Sequence, residues 1–157
     1  MGVDFDFSRL DAQDVLDIAT YVEDEAQQSY EQLVAWMESQ GNQEVAAFFT
    51  KMVGFEVLHR EQITAKRKQL FGDAPARYTE LVVSEVESPD VEDIGDTCTL
   101  EQAFALALGA ENKAHDYYSQ AMDYISDPQV LELLDELRKA ELGHMKMLEA
   151  MQAKLEG

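Results

Sequence analysis

Apolar residues return every three or four positions over four long stretches of the chain, and this spacing predicts four helices. The first opens at Asp11, a suitable N-cap, and covers about residues 11–40. Val15, Ile18, Ala19, Val22, Ala26, Leu33 and Met37 fall on one stripe before Gly41-Asn42 ends the run. The second covers about 43–71 and carries Val45, Phe48, Phe49, Met52, Phe55 and Ile63. Lys66, Arg67 and Lys68 stand near its end, where positive charge suits the helix dipole. Thr99 and Gln102 have the spacing of a capping box that opens a third helix, about 100–125. Asp127-Pro128 supplies an N-cap and a first-turn proline for a fourth, about 128–155.

Between the second and third helices the pattern fails. Residues 73–98 hold Pro75, Pro89, the β-leaning Leu81-Val82-Val83 and eight acids against one arginine. A connection of that length needs a reason, and a four-helix bundle provides one: a long crossover lets helices two and three run parallel. The expected fold is all-α, one domain over residues 1–157, built as two helical hairpins with helices roughly 40 Å long.

The hairpins repeat one another. Ala19, Glu23 and Tyr30 recur as Ala107, Glu111 and Tyr118 at one constant offset. Glu56 and His59 recur as Glu141 and His144, with Phe48, Phe49, Met52 and Ile63 answered by Leu133, Leu134, Leu137 and Leu148. Each hairpin therefore offers one lone glutamate and one Glu-x-x-His, whose i, i+3 spacing puts both side chains on one helix face.

Composition narrows the partners. The net charge of −20 excludes nucleic acid and anionic membrane surfaces as natural ligands. The N-terminus is acidic and lacks the apolar core of a secretory signal, and no run is apolar enough to span a membrane, so a cytoplasmic protein is expected. Cys98 is the single cysteine, which excludes an internal disulfide and a cysteine-based metal site.

Charge also makes the two lone glutamates conspicuous. Glu23 lies among Ala19, Val22 and Ala26, and Glu111 among Ala107, Leu108 and Ala114, on the apolar stripes of their helices. An unpaired carboxylate buried there costs several kcal/mol, so a compensating cation is expected. Four glutamates balance two divalent ions, and a set of carboxylates and imidazoles suits iron or manganese better than zinc. One glutamate from each of two helices, with Glu-x-x-His from each of the others, is the pattern of di-metal carboxylate bundles. Glu25 competes with Glu23 for the helix-one position, but the repeat selects Glu23.

On these residues the chain resembles the ferritin-like superfamily and, within it, the diiron domain of rubrerythrins, over about residues 11–155. The carriers are I-A-T-Y-V-E-D-E-A-Q-Q-S-Y, F-E-V-L-H, L-A-L-G-A-E-N-K-A-H-D-Y-Y and A-E-L-G-H. The resemblance implies a ferritin-like bundle holding two iron ions, with manganese or a mixed pair as the alternative. Glu23 and Glu111 would be terminal ligands, Glu56 and Glu141 bridges, and His59 and His144 would bind one metal each. Tyr30 and Tyr118 would hydrogen-bond to carboxylates across the bundle. The family's additional glutamate after the helix-three ligand is Ala114 here; His115, next to it, is either a substitute ligand or a partly exposed histidine. Gly143, costly inside a helix, is expected to make room for a neighbouring helix or an oxidant.

The implied activity is reduction of peroxide or dioxygen at the di-metal site. With no rubredoxin domain, electrons would come from an external donor such as a rubredoxin-like protein. A homodimer is implied as well. The alternative is an iron-binding, ferroxidase or storage protein without turnover.

Overall fold

The computed structural model describes residues 6–77 and 99–156 and contains four long helices. They are α1 (Ala12–Ser39), α2 (Gln43–Phe71), α3 (Leu100–Met122) and α4 (Pro128–Glu156), preceded by a short 3-10 turn, Phe7–Arg9. Leu81-Val82-Val83, Pro89 and Cys98, with most of the crossover, lie outside the described residues. Among the described residues no helix is long and apolar enough to cross a membrane.

The caps read from the sequence are formed. Asp11 Oδ1 accepts from the Asp14 amide at 2.9 Å, and Asp14 Oδ2 accepts from the Asp11 amide at 3.0 Å, which closes a capping box. Thr99 and Gln102 close a second one. Asp127 Oδ1 accepts from the amides of Gln129 and Val130, with Pro128 in the first helical position, where no amide is required. Between α1 and α2 the amides of Gly41 and Asn42 reach back to the carbonyls of Glu38 and Met37. Those bonds make a Schellman turn, and Gly41 supplies its left-handed residue with φ of 76°.

α3 ends at Met122, three residues before the expected boundary at Ile125. The amides of Asp123 and Tyr124 bond to Gln120 and Ala121, three residues back, and this tighter winding turns the chain toward Pro128. Ile125 stays buried beyond the helix end, which is why its apolar signal extended the sequence pattern.

Side-chain pairings give the directions. Asp24 and Asp17 of α1 meet Arg60 and Arg67 of α2 in opposite order, so α1 and α2 are antiparallel. Glu23 and Tyr30 of α1 meet Tyr118 and Glu111 of α3 in opposite order too. α2 and α3 therefore run parallel, as the crossover requires. α2 and α4 are antiparallel, Glu44 lying near Lys154 and His59 near Glu141.

After α2 the chain folds back over the start of α1. Arg67 binds Asp17 at 2.8 Å and donates to the Gly72 carbonyl at 2.9 Å. Gln13 donates to the Pro75 carbonyl, and Arg77 pairs with the buried Asp14.

The core has two parts. One, around Val15, Leu16, Ile18, Tyr117 and Leu134, fills one end of the bundle. The other, around Leu33, Met37, Phe49, Met52 and Phe104, fills the opposite end. The buried glutamates lie between them.

Candidate metal centre

Each helix contributes inward-facing donors from its middle. Glu23, Glu56, Glu111 and Glu141 are essentially inaccessible to solvent, and His59 and His144 are only slightly less buried. Donor atoms of Glu23, Glu56, His59 and Glu141 lie within 4.8 Å of one another, and so do those of Glu56, Glu111, Glu141 and His144. Glu56 and Glu141 belong to both groups. These are two metal-binding clusters sharing two carboxylates, the arrangement of a di-metal site.

The repeat in the sequence appears here as near symmetry. His59 Nδ1 lies 3.2 Å from Glu141, 3.5 Å from Glu23 and 3.9 Å from Glu56. His144 Nδ1 lies 3.3 Å from Glu111, 3.6 Å from Glu56 and 3.8 Å from Glu141. The imidazoles stack on each other with centroids 5.3 Å apart, and Phe55 stacks on His144. Tyr30 donates to Glu111 at 2.7 Å, and Tyr118 donates to Glu23. These bonds orient the lone glutamates from across the bundle.

The donor set fits cations. Glu23 Oε2, both oxygens of Glu56, both of Glu141 and His59 Nδ1 are buried without a hydrogen-bond partner. Such atoms cost free energy unless something electropositive satisfies them. Burial, followed by the charge of Glu23, pushes the carboxyls of Glu56 and Glu141 well above the ordinary glutamate range. Burial acts upward on Glu23 and Glu111 as well. There the neighbouring carboxyl of Glu56 or Glu141, the histidines and the hydrogen bonds from the tyrosines outweigh it, and both are lowered. Without ions the shared glutamates hold protons more tightly than the lone ones. Burial and the adjacent carboxylates also push the hydroxyls of Tyr30 and Tyr118 well above the usual tyrosine value, so both remain donors.

Two other sequence candidates lie apart. His115 is partly exposed, with Nδ1 3.7 Å from Asp116, and belongs to neither cluster. Glu25 pairs with Lys113 at 2.8 Å. That buried lysine escaped the sequence reading, although its signal was present: Glu25 and Lys113 occupy equivalent positions of the repeat, with opposite charge. Gly143 gives no passage to a neighbouring helix, because a Cβ built on it meets no atom within 4 Å. It faces open space, and helix proximity is not its reason.

A family model described as Rubrerythrin matches residues 14–152. Among solved structures, an uncharacterized conserved protein from Magnetospirillum magnetotacticum MS-1 is similar at 26% identity and a TM-score of 0.75, over 90% of this chain and 93% of that one. No curated protein matches.

Proposed function

The chain belongs to the rubrerythrin family, and from that premise we propose that it reduces peroxide at a pair of iron ions, with electrons from an external donor. Glu23, Glu56, His59, Glu111, Glu141 and His144 would hold the ions, manganese being the alternative in one or both positions. The observation that carries this reading is the sharing of Glu56 and Glu141 by two otherwise separate donor groups. Carboxylates that serve two groups at once suit two ions held close together.

When bound, the ions supply the electrons that reduce the oxidant. The chain supplies the rest. Apolar cores on both sides keep bulk water from the carboxylates, which strengthens every charge interaction inside. Tyr118 and Tyr30 hold Glu23 and Glu111 in fixed orientations. Glu56 and Glu141, free of other hydrogen-bond partners, would offer both of their oxygens to the ions.

The donor is a separate rubredoxin-like protein, and the working unit is a homodimer, which light scattering tests. Anaerobic stopped-flow mixing of iron-loaded, reduced protein tests the activity. Oxidation by peroxide is expected to outpace oxidation by dioxygen. The reverse order would make the protein a ferroxidase, and metal content unchanged by Glu56→Ala and Glu141→Ala would remove the di-iron reading altogether.

A further inference from the structure

Gly143 stands inside α4, one residue before His144, where glycine weakens a helix and a Cβ would meet nothing within 4 Å. Nothing within the described chain requires it. Its equivalent in the repeat is Leu58, one residue before His59, and Leu58 is 55% exposed. α2 and α4 are antiparallel, with His59 beside Glu141 and His144 beside Glu56, so Leu58 and Gly143 share one level of the bundle. From this side the metal centre is close to the surface. Lys51 Nζ lies over the Phe55 ring, 5.9 Å from its centroid; Phe55 stacks on His144 at 4.9 Å, and His144 on His59 at 5.3 Å.

Charge marks the same side. α1 carries seven acids and no base, whereas α2 carries five bases against three acids, one of them the buried Glu56. With four more on α4, these two helices hold nine of the chain's twelve lysines and arginines. Arg60 and Arg67 pair with α1. Lys51 and Lys146 are exposed and have no carboxylate partner among the described residues. Lys51 precedes Leu58 by seven residues and Lys146 follows Gly143 by three, so on antiparallel helices both lie toward the same end.

We propose that Lys51, Leu58, Gly143 and Lys146 mark the face on which the electron donor docks, and that this donor is a small one-electron carrier with acidic residues around its redox centre. The proposal rests on the redox reading above and adds to it the surface and the charge of the partner. The lysines draw an acidic protein to the one cationic side of a chain whose net charge of −20 otherwise repels it. Leu58 gives the contact an apolar centre, and the missing side chain at Gly143 lets the partner's surface come close to His144. Each encounter passes one electron from the donor to the centre, so two encounters return the two electrons that one peroxide removes. A second copy of the chain does not fit this face, because a two-fold contact there would set the cationic side against itself.

The experiment oxidises the iron-loaded chain with one equivalent of peroxide and mixes it, anaerobically in the stopped-flow, with a reduced rubredoxin of net negative charge. Reduction of the chain is expected to slow as salt rises. Lys51→Glu and Lys146→Glu should each cut the second-order rate constant roughly tenfold at low salt. Arg9→Glu makes the same change of net charge at an exposed residue before α1 and should alter the rate by less than about twofold. Gly143→Gln is expected to raise the melting temperature, because glutamine favours a helix, and yet to slow reduction. Equal rates in Lys51→Glu, Lys146→Glu and Arg9→Glu overturn the docking face and leave the redox reading standing, as does a centre that dithionite reduces and rubredoxin does not. Self-association abolished by Gly143→Gln assigns the face to a second copy, and binding to phosphatidylserine vesicles lost in Lys51→Glu assigns it to a membrane; either overturns the proposal. A chain that holds no iron, or whose iron does not react with peroxide, overturns both readings.

Discussion

Every donor at the centre is a residue whose chemistry conflicts with its surroundings, and that conflict is what made it readable. Glu23 and Glu111 stood on apolar stripes; Glu56 and Glu141 stood beside histidines at helical spacing. The structure buries all four. What the sequence hid was the pairing of charges away from the centre, since spacing along one helix says nothing about which residue of another helix lies opposite. Lys113 is the clearest case. Its Nζ meets Glu25, and Lys113→Ala is expected to cost about 2 kcal/mol, less than the roughly 3–5 kcal/mol of a fully buried pair because Glu25 keeps some access to water. The charge-reversed double variant, Glu25→Lys with Lys113→Glu, should recover much of that loss in urea denaturation. At the centre itself, Tyr30→Phe leaves a Glu111 oxygen without its donor. It is expected to weaken metal affinity about tenfold or more, as measured by competition with a chromophoric chelator.

The helices were legible almost to their ends, because capping chemistry is local. Asp11, Thr99 and Asp127 all cap as their positions predicted, and Asn42 caps α2 as well. The exception, the end of α3, arose because Ile125 packs into the core from a turn, and burial there mimics helix periodicity. The fold-back of residues 72–77 over α1 was not legible at all. It depends on Arg67 and Arg77 reaching Asp17 and Asp14, far away in the chain. Turns also give sharp predictions. Gly41→Ala forces a side chain into the left-handed region, for a cost of about 1 kcal/mol in unfolding free energy, measured by urea denaturation. Thr99→Ala removes the cap of α3 and is expected to cost about as much.

Taken together, the bundle is a device for burying carboxylates between two apolar ends, and its stability should depend on pH accordingly. Glu56 and Glu141 keep their protons well above the ordinary value of 4.5 because of burial and neighbouring charge. The metal-free folded chain then holds protons that the unfolded chain has released. The contribution of this pair is full below pH 4.5 and is lost as pH rises toward the raised values. Glu23 and Glu111, lowered, act in the opposite sense and lose their contribution as pH falls below the ordinary range. Calorimetry of metal-free protein should show the melting temperature declining as pH rises above 4.5 toward neutrality, with the decline flattened in Glu56→Gln/Glu141→Gln. Loading divalent metal should release protons from the shared glutamates into a weakly buffered solution. The contact between Glu25 and Lys113 carries a last consequence. Two copies of the first hairpin, joined with this symmetry, would set Glu25 against Glu25, and two copies of the second would set lysine against lysine. The duplicated halves thus favour each other over a copy of themselves. Produced as separate chains and mixed, they should reconstitute as a one-to-one heterodimer in preference to either homodimer.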